Sequence, residues 1–207
     1  MCRWLAYQGP PLALETLLLR PENALVRQSM AARRSLTPVN GDGFGVAWWG
    51  AKPKPGVFRD TAPAWNDGNR LSLSEQIEAR QFFAHVRAST GTATSRANCH
   101  PFAIGLDAFM HNGAIGGWSK VRRSVEQLIP DDLYVHRQGA TDTEALFLLA
   151  LALGLSENPK AAMARAVGKT VAAMQAADIS APFRMTAAYG DGKRMVAVRW
   201  SSDNQSP

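Results

Sequence analysis

Strand-type and helix-type segments follow one another in an order that limits the folds open to this chain. Strand-type segments come first, helical segments follow, and a hairpin comes last. The strand-type segments are residues 2–8, 44–49, 82–89, 107–113, 184–190 and 193–200, and helical patterns cover residues 22–34, 71–81, about 141–154 and about 158–177. The last two strands flank the turn Gly190-Asp191-Gly192. This order predicts an α+β fold with at least one antiparallel sheet.

The segment 82–89 alternates with a period of two residues. Its odd and even positions are Phe83, His85, Arg87 and Ser89 on one side and Phe82, Ala84, Val86 and Ala88 on the other. Successive side chains of a strand point to opposite faces. One face is therefore predicted to be apolar, and the other to carry a histidine, an arginine and a hydroxyl group in a row.

The segment Thr141-Asp142-Thr143-Glu144 precedes an apolar run and matches a capping box, with Thr141 as N-cap and Glu144 reaching back to it. The apolar run, residues 145–155, is too short to span a bilayer and is predicted to be a buried helix. Residues 51–69 are rich in Pro, Gly and Asp, which predicts a loop or a short edge hairpin.

Composition excludes several classes of protein. The 207 residues are 46% hydrophobic and 19% charged, which is typical of one soluble globular domain rather than a disordered chain. The net charge of +6 makes nucleic acid a candidate partner. The basic residues are scattered and no nucleic-acid motif accompanies them, so a mildly basic surface explains the charge as well. No signal peptide is visible and two cysteines form no disulfide framework, so we expect a cytoplasmic protein.

Cys2 is a candidate nucleophile because of its position. The thiolate is the reactive form of cysteine and needs an activator. If Met1 is removed, Cys2 carries a free α-amine whose ordinary pKa of roughly 7.7–8 suits a general base. The alternative is that Cys2 is a packed residue on a first strand, and position alone favours that alternative.

Six segments occur together in one order: Met-Cys-Arg-Trp-Leu at the start, Asn-Gly-Asp-Gly-Phe-Gly-Val from Asn40, Ala-His-Val-Arg-Ala-Ser-Thr-Gly from Ala84, Cys-His-Pro-Phe from Cys99, His-Asn-Gly from His111, and Thr-Asp-Thr-Glu. Together they resemble the class II glutamine amidotransferases, a branch of the N-terminal nucleophile hydrolases. The small stand-alone members, including the γ-glutamyl hydrolase of ergothioneine biosynthesis, are the most similar. The resemblance implies a four-layer αββα sandwich of two antiparallel sheets, formed by residues 1–200, with a polar tail at 201–207.

The resemblance also implies roles for individual residues. Cys2 would attack the side-chain amide carbonyl of glutamine, and the side-chain amide of Asn112 with the backbone N–H of Gly113 would form the oxyanion hole. Arg87 would bind the α-carboxylate, because a guanidinium matches a carboxylate bidentately. Asp142 would bind the α-ammonium group. Asn-Gly is also a common turn pair, and an aspartate in the first turn of a helix is favoured by the helix dipole alone.

Further residues belong to the implied substrate site with less definite roles. Ser89 or Thr90 is expected to add a hydroxyl contact to the carboxylate, although the sequence after the arginine departs from that of the larger family members. His111 is assigned to the same substrate site. Asp42 is expected to be mainly structural.

Other chemistries are weaker alternatives. A Cys/His dyad could be built from Cys2 or Cys99 with one of the histidines at positions 85, 100 and 111, and Cys99 is otherwise expected to be a buried small hydrophobe. No cysteine or histidine pair has the spacing of a zinc site, so we expect neither a metal nor a cofactor.

Two features bear on the completeness of the site. The stand-alone family members are usually longer, so this chain is either a shortened member or lacks the last C-terminal strands of the fold, with an open or covered sheet edge. If Met1 stays attached, the nitrogen of Cys2 is an amide that cannot act as a base. We then expect the methionine to crowd the catalytic cleft.

Three functions follow from these patterns. The first is a glutaminase that releases ammonia to a separate synthase subunit. The second is hydrolysis of a γ-glutamyl conjugate, as in ergothioneine assembly, and the third is a non-catalytic amino-acid-binding module. The expected partner is glutamine or another γ-glutamyl small molecule, with no nucleic acid and no membrane, and with homo-oligomers left open.

Overall fold

The computed structural model describes residues 2–30, 39–66, 68–89 and 92–205. The chain divides into two compact units, the first formed by Met1–Met110 with Gly190–Met195 and the second by His111–Tyr189 with Val196–Pro207. We refer to them as the first unit and the second unit. Two four-stranded sheets with helices make this an α+β protein, as the order of the sequence patterns predicts.

The first unit contains one complete sheet with the strand order β1-β4-β2-β3. Its elements are β1 (Arg3–Ala13), α1 (Glu15–Leu18), α2 (Leu25–Met30), β2 (Phe44–Trp49), β3 (Gly56–Asp60), α3 (Gly68–Gln76) and β4 (Glu78–Val86). Strand β4 pairs antiparallel with β1 on one side and with β2 on the other, and Val86 lies opposite both Arg3 and Phe44. Strand β3 pairs with β2 and is the edge strand, so the segment 51–69 contains the second strand of an edge hairpin.

The helices of the first unit pack on the face of the sheet that the alternation of β4 predicts to be apolar. The core cluster is Leu14, Leu18, Leu25, Val26, Phe44, Val46, Ala64, Ala79, Phe82, Ala84 and Val86. Burying one large apolar side chain of this kind contributes roughly 1.5–3 kcal/mol. The predicted apolar face of the strand is therefore confirmed.

The opposite face of β4 carries the predicted histidine, and this face is buried. Phe83 packs edge-on against Trp49, with ring centroids 5.4 Å apart. The ring of His85 is fully buried and stacks on His100 at 4.1 Å. His85 thus lies inside the packing of the first unit, and Arg87 and Ser89 follow the end of the strand instead of continuing it.

The second sheet has the strand order β5-β6-β7-β8. Its strands are β5 (Phe102–Ile104), β6 (Asp107–Ala114), β7 (Arg184–Gly190) and β8 (Met195–Ser201). The helices α4 (Trp118–Glu126), α5 (Asp131–Tyr134), α6 (Asp142–Ala152) and α7 (Pro159–Ala176) belong to the second unit. The hairpin β7–β8 has the position that the Gly-Asp-Gly turn predicts.

Helix α6 is the centre of the second unit and contacts α4, α5 and α7. Every residue from Thr143 to Ala150 is buried, which confirms the prediction of a buried helix. Thr141 is its N-cap and accepts a hydrogen bond from the backbone N–H of Glu144 at 3.2 Å. Glu144 occupies the predicted N3 position, and its carboxylate accepts from the backbone N–H groups of Gln138 and Gly139 in the loop before the helix.

That carboxylate also pairs with a buried arginine. Arg137 donates to Glu144 at 2.5 Å and to Glu126 at 2.9 Å, and all three side chains are at most 10% exposed. Glu144 is therefore satisfied by the loop before α6, and this ion cluster fixes the direction from which the chain enters the helix.

Two boundaries in the first unit differ from the sequence prediction. The helix predicted over 71–81 ends at Gln76, and β4 begins at Glu78. The reason is Gln81, which is buried and bonds through its side chain to the backbone of Gly192 and Arg194. In the sequence pattern, a glutamine at this position is typical of a helix surface, so the pattern extends the helix to residue 81. Of the helix predicted over 22–34, residues 25–30 are helical, and residues 31–34 lie outside the described part of the chain.

The C-terminal segment is bonded to β7. The backbone N–H of Ser202 donates to the carbonyl of Phe183, and Arg184 forms a bidentate ion pair with Asp203. This hydrogen-bonded guanidinium lowers the pKa of Asp203 to about 2. The described part of the predicted tail therefore continues the contacts of β8. Among the described residues, no helix is both long and apolar enough to cross a membrane.

Gly45 and Gly168 form a matched pair for testing the packing of β2. A Cβ at Gly45 would overlap the backbone carbonyl of His100, whereas a Cβ at the exposed Gly168 in α7 would meet nothing within 4 Å. We expect Gly45→Ala to lower the free energy of unfolding by at least about 2 kcal/mol through overpacking. Gly168→Ala should raise it by roughly 0.5–1 kcal/mol through helix propensity. Urea denaturation measures both, and equal effects of the two variants would contradict the packing described for β2.

Candidate active site

Cys2 precedes the first strand and is half-buried. The pairing of β1 with β4 brings it beside the residues that follow β4. Its Sγ lies 3.5 Å from the carbonyl oxygen of Ala88 and 3.4 Å from the backbone nitrogen of the same residue. As a thiol the sulfur can donate to the carbonyl, and as a thiolate it can accept from the N–H. Both forms of the sulfur therefore have a backbone partner.

Arg87 is the residue next to this contact. Its side chain is buried and its guanidinium is bonded to nearby loop residues. Nη2 donates to the Thr92 hydroxyl at 2.7 Å and to the Ser89 hydroxyl at 3.0 Å, and Nη1 lies 3.4 Å from the carbonyl of Asp42. The partners are neutral oxygens, so the positive charge of Arg87 has no carboxylate partner among these contacts. The arginine is thus held in one orientation by the loop that surrounds it.

The segment around Asp42 holds this loop in place. The backbone of Asp42 and Gly43 pairs with that of Arg87, and the carboxylate of Asp42 accepts from the backbone N–H of Ser89 at 2.7 Å. Asp42 therefore has the structural contacts expected of it. The hydroxyl of Ser89 donates to the Thr92 carbonyl at 2.6 Å. Thr90, the alternative hydroxyl, lies outside the described residues.

Cys99 has an environment unlike that of Cys2. It is 1% exposed, and its Sγ contacts the carbonyl oxygens of Asp60 and Ser95 at 3.4 Å. Burial raises the pKa of the Cys99 thiol, and the charges of Arg87 and Arg59 oppose that shift. A buried, protonated thiol is a poor nucleophile. Cys99 is therefore the buried small residue that the sequence predicts.

In the second unit, Asn112 and Gly113 form the end of β6. Among the described residues, the side-chain amide of Asn112 makes no hydrogen bond, and Gly113 is exposed. Gly113 has a φ of +142°, a conformation that side chains rarely adopt. A Cβ at this position would also overlap the carbonyl oxygen of Arg184 and lie 2.7 Å from Nε2 of His111. A glycine is therefore required here, and a half-buried amide donor lies beside it.

His111 precedes these two residues and is 2% exposed. Its Nδ1 lies 2.9 Å from the hydroxyl of Thr143, and its Nε2 lies 3.4 Å from the carbonyl of Arg184. Burial lowers the pKa of His111, and the nearby carboxylate of Asp142 opposes that shift. Both ring nitrogens have partners within the protein. This favours a positioning role for the ring over direct contact with a substrate.

Asp142 is the first residue of α6 and is half-buried. Its Oδ2 accepts from the backbone N–H of Ile115 at 2.8 Å, and its Oδ1 accepts from the backbone N–H of Thr143 at 2.8 Å. Oδ1 also lies 3.4 Å from the hydroxyl of Thr143. A carboxylate has about four acceptor positions, so at least one remains for a ligand. The carboxylate is fixed at the helix N-terminus, where the dipole favours its negative charge.

Each unit therefore gathers part of the predicted site. The first unit places Cys2 beside Ala88, between Arg87 and Ser89 in the chain. The second unit places His111, Asn112 and Gly113 on a segment that is bonded to the first turn of α6, which carries Asp142. Two contributors were missed from sequence. Thr92 follows the arginine motif without a recognisable pattern. Thr143 lies within Thr-Asp-Thr-Glu, where the sequence patterns give roles to Thr141, Asp142 and Glu144 but none to Thr143.

Comparison with known families identifies the one to which this chain belongs. The family model of class II glutamine amidotransferases matches residues 22–203. The chain belongs to the class II glutamine amidotransferases. The matched region begins after Cys2 and includes the other predicted site residues. The resemblance identified from the six sequence segments is thereby confirmed.

Two relatives of this amidotransferase chain illustrate the range of the family. A Saccharomyces cerevisiae protein named "Probable glutamine amidotransferase DUG3" is 40% identical over 160 residues, covering 73% of this chain and 45% of the yeast protein. The chain thus spans less than half the length of that relative. A γ-glutamyl-hercynylcysteine sulfoxide hydrolase of Mycobacterium tuberculosis is 30% identical over 203 residues, covering 97% of this chain and 77% of the relative.

Solved structures agree on the fold. A class II glutamine aminotransferase domain protein from Silicibacter pomeroyi is 35% identical and superimposes with a TM-score of 0.79, covering 100% of this chain and 80% of that one. The glutamine phosphoribosylpyrophosphate amidotransferase of Bacillus subtilis is 15% identical with a TM-score of 0.63, covering 96% of this chain and 37% of that one. The second likeness concerns the fold alone. The N-terminal nucleophile hydrolase fold implied by the resemblance is confirmed.

The two cysteines of this amidotransferase give a direct test of the described environments. Under limiting iodoacetamide, we expect Cys2 in the native protein to be alkylated at least about tenfold faster than Cys99, because thiolate character and access control the rate. Peptide mass mapping over time measures both sites, and the denatured protein serves as the control in which the rates converge. Equal rates in the native protein would contradict the burial and pKa described for Cys99.

Proposed function

We propose that the chain hydrolyses the γ-glutamyl amide bond of glutamine or of a γ-glutamyl conjugate through a thioester on Cys2. The products are glutamate and either ammonia or an amine. The proposal rests chiefly on one observation, the contact of the Cys2 sulfur with the backbone of Ala88. That contact puts a half-buried thiol next to the residue that follows Arg87, the proposed ligand of the substrate carboxylate.

Arg87 supports recognition of a free amino-acid head group. Its contacts are neutral hydroxyl and carbonyl oxygens, and a substrate carboxylate would replace some of them with an ion pair that can be bidentate. Asp142 supplies the opposite charge for the α-ammonium group, with acceptor capacity beyond its bonds to Ile115 and Thr143. An arginine and an aspartate together match the two charges of a glutamyl group.

Asn112 and Gly113 are the proposed donors to the oxyanion. The amide of Asn112 has no partner among the described residues, and Gly113 has a positive φ that residues with a side chain rarely adopt. Removing one such donor typically costs about 10²–10³ in rate. These two groups therefore supply a large part of the stabilisation that the proposed reaction needs.

The proposed reaction has two steps. The α-amine of Cys2, freed by removal of Met1, takes the thiol proton, and Sγ bonds to the γ-carbonyl carbon. The C–N bond of the amide then breaks, and the leaving nitrogen receives the proton held by the amine. Water attacks the thioester in the second step, which releases glutamate and restores the thiol. Met1 lies outside the described residues, so its removal stays a prediction.

Two versions of this function differ in the leaving group, which is ammonia for glutamine and an amine for a γ-glutamyl conjugate. The mycobacterial relative aligns with nearly the whole chain and is named as a hydrolase of a γ-glutamyl conjugate. This alignment supports the second candidate function, in which the leaving group is an amine larger than ammonia. The first candidate, a glutaminase, would deliver ammonia to a separate synthase subunit. A homo-oligomer is compatible with either version.

A turnover assay tests the proposal. The processed protein is incubated with glutamine and with γ-glutamyl amides that carry bulkier amines, and glutamate release is measured. We expect turnover of at least one substrate, and loss of at least about 10³-fold in Cys2→Ala because the nucleophile is gone. Cys99→Ala is the matched control and should keep activity within a few-fold of wild type.

Three outcomes would contradict the proposal. Release of no glutamate from any substrate would reject it, as would full activity of Cys2→Ala. Full activity of a protein that retains Met1, verified by N-terminal mass, would reject the role of the α-amine. A Cys2→Ala protein that binds glutamate and retains its biological role would instead support the non-catalytic binding module.

A further inference from the structure

We propose that Thr143 and His111 are positioning residues that hold the oxyanion donors at a fixed distance from the carboxylate that receives the α-ammonium group. This inference rests on the function proposed above, because it assigns those roles to Asn112, Gly113 and Asp142. Neither Thr143 nor the ring of His111 touches the substrate in this account. They act through the segment 111–115 and the first turn of α6.

Two hydrogen bonds join that segment to the helix. The ring of His111 bonds to the hydroxyl of Thr143 at 2.9 Å, and the backbone N–H of Ile115 donates to Asp142 at 2.8 Å. One bond lies before Asn112 and Gly113 in the chain, and the other lies after them. The two donors are therefore bracketed by bonds to the same helical turn that carries the proposed ammonium ligand.

The direction of each proton follows from the partners of the ring. The carbonyl of Arg184 can only accept, so Nε2 of His111 carries the proton and donates to it. Burial lowers the pKa of His111, so the ring is neutral near pH 7 and Nδ1 has a lone pair. The hydroxyl of Thr143 must then donate to Nδ1 at 2.9 Å, in preference to Oδ1 of Asp142, which is more distant at 3.4 Å. A hydroxyl at position 143 is therefore required to satisfy this buried nitrogen.

The carbonyl oxygen of Arg184 also restricts which residue can occupy position 113. A Cβ at Gly113 would overlap the carbonyl of Arg184 and would lie 2.7 Å from Nε2 of His111. The ring thus lies against the glycine whose N–H is the proposed oxyanion donor. A rotation of the ring after loss of the Thr143 bond would move an atom that directly borders Gly113.

The spacing has a consequence for specificity. A γ-glutamyl group separates its ammonium and its reacting carbonyl by one more methylene than a β-aspartyl group does. Fixing the oxyanion donors relative to Asp142 sets the length of acyl group that reaches both. Thr143 and His111 therefore contribute to the preference for γ-glutamyl over β-aspartyl amides.

The test compares Thr143→Val, which keeps the shape and removes the hydroxyl, with Thr143→Ser, which keeps the hydroxyl. Turnover is expressed per competent site, counted by titration with a glutamine-like diazo-ketone that alkylates Cys2. We expect Thr143→Val to lower kcat per titrated site by about tenfold or more with KM nearly unchanged, less than the 10²–10³ cost of deleting a donor. The ratio of γ-glutamyl to β-aspartyl turnover should fall as well.

Controls separate positioning from folding. Thr143→Ser should recover kcat to within a few-fold of wild type. Asp142→Asn should instead act mainly on KM, because it weakens binding of the ammonium group. A purely structural role of Thr143 would lower the number of titratable sites and leave kcat per site unchanged. That result, or equal losses of kcat in the Val and Ser variants, would overturn the inference.

One measurement on the wild-type protein applies even if Thr143→Val does not fold. Nitrogen-15 NMR distinguishes the protonated nitrogen of a histidine ring, and His111 should be neutral near pH 7 with its proton on Nε2. A proton on Nδ1 would overturn the inference. If the wild type hydrolyses no γ-glutamyl amide, the proposed function fails together with the inference. An active wild type with an unaffected Thr143→Val rejects the inference alone.

Discussion

The antiparallel pairing of β1 with β4 is the constraint on which the chemistry of the first unit depends. It sets Arg3 opposite Val86, so the residue before Arg3 lies beside the residues after Val86. The nucleophile candidate and the arginine candidate are 85 positions apart in sequence, and this register alone brings their neighbourhoods together. A one-residue slip would turn every side chain of β1 to the opposite face. The apolar core on one side of the sheet prevents such a slip.

In the second unit, polar groups are held at defined positions in the first turn of a helix that is otherwise apolar. Helix α6 is buried on all sides, and its first turn carries the polar residues Asp142 and Thr143. Backbone N–H groups, a histidine ring and the Arg137 ion cluster satisfy these residues and Glu144. Because each of these bonds is buried or half-buried, losing one partner would leave an unsatisfied group that costs about 1–3 kcal/mol. This cost maintains the geometry of the turn.

Periodicity and turn chemistry predicted most of the fold. The apolar face of β4, the buried helix α6 and the hairpin β7–β8 each follow from local patterns. The boundary between α3 and β4 did not, because the bonds that bury Gln81 come from residues 192 and 194. The stacking of His85 on His100 could not be predicted either. Strand alternation predicts on which face of the sheet a side chain lies, but not which residue packs against it.

The candidate site could be predicted only in part, because local patterns do not show which distant residues contact one another. Motif resemblance named Cys2, Arg87, Asn112, Gly113 and Asp142, whereas the contacts of Thr92 and Thr143 depend on the conformation of a loop and on a ring from another strand. No spacing in the sequence encodes those contacts. The structure likewise gives His111 a buried position between two protein partners, which its presence in a motif did not indicate.

The central claim is that Cys2 forms a covalent intermediate with the γ-glutamyl group. The most direct measurement is the mass of the N-terminal peptide after the processed enzyme turns over a γ-glutamyl amide and is quenched with acid within its first turnovers. The account predicts that a fraction of the peptide begins at Cys2 and carries one added glutamyl group, which hydroxylamine removes as expected for a thioester. Active turnover with the added mass on Cys99, or with an N-terminus still blocked by Met1, would contradict it.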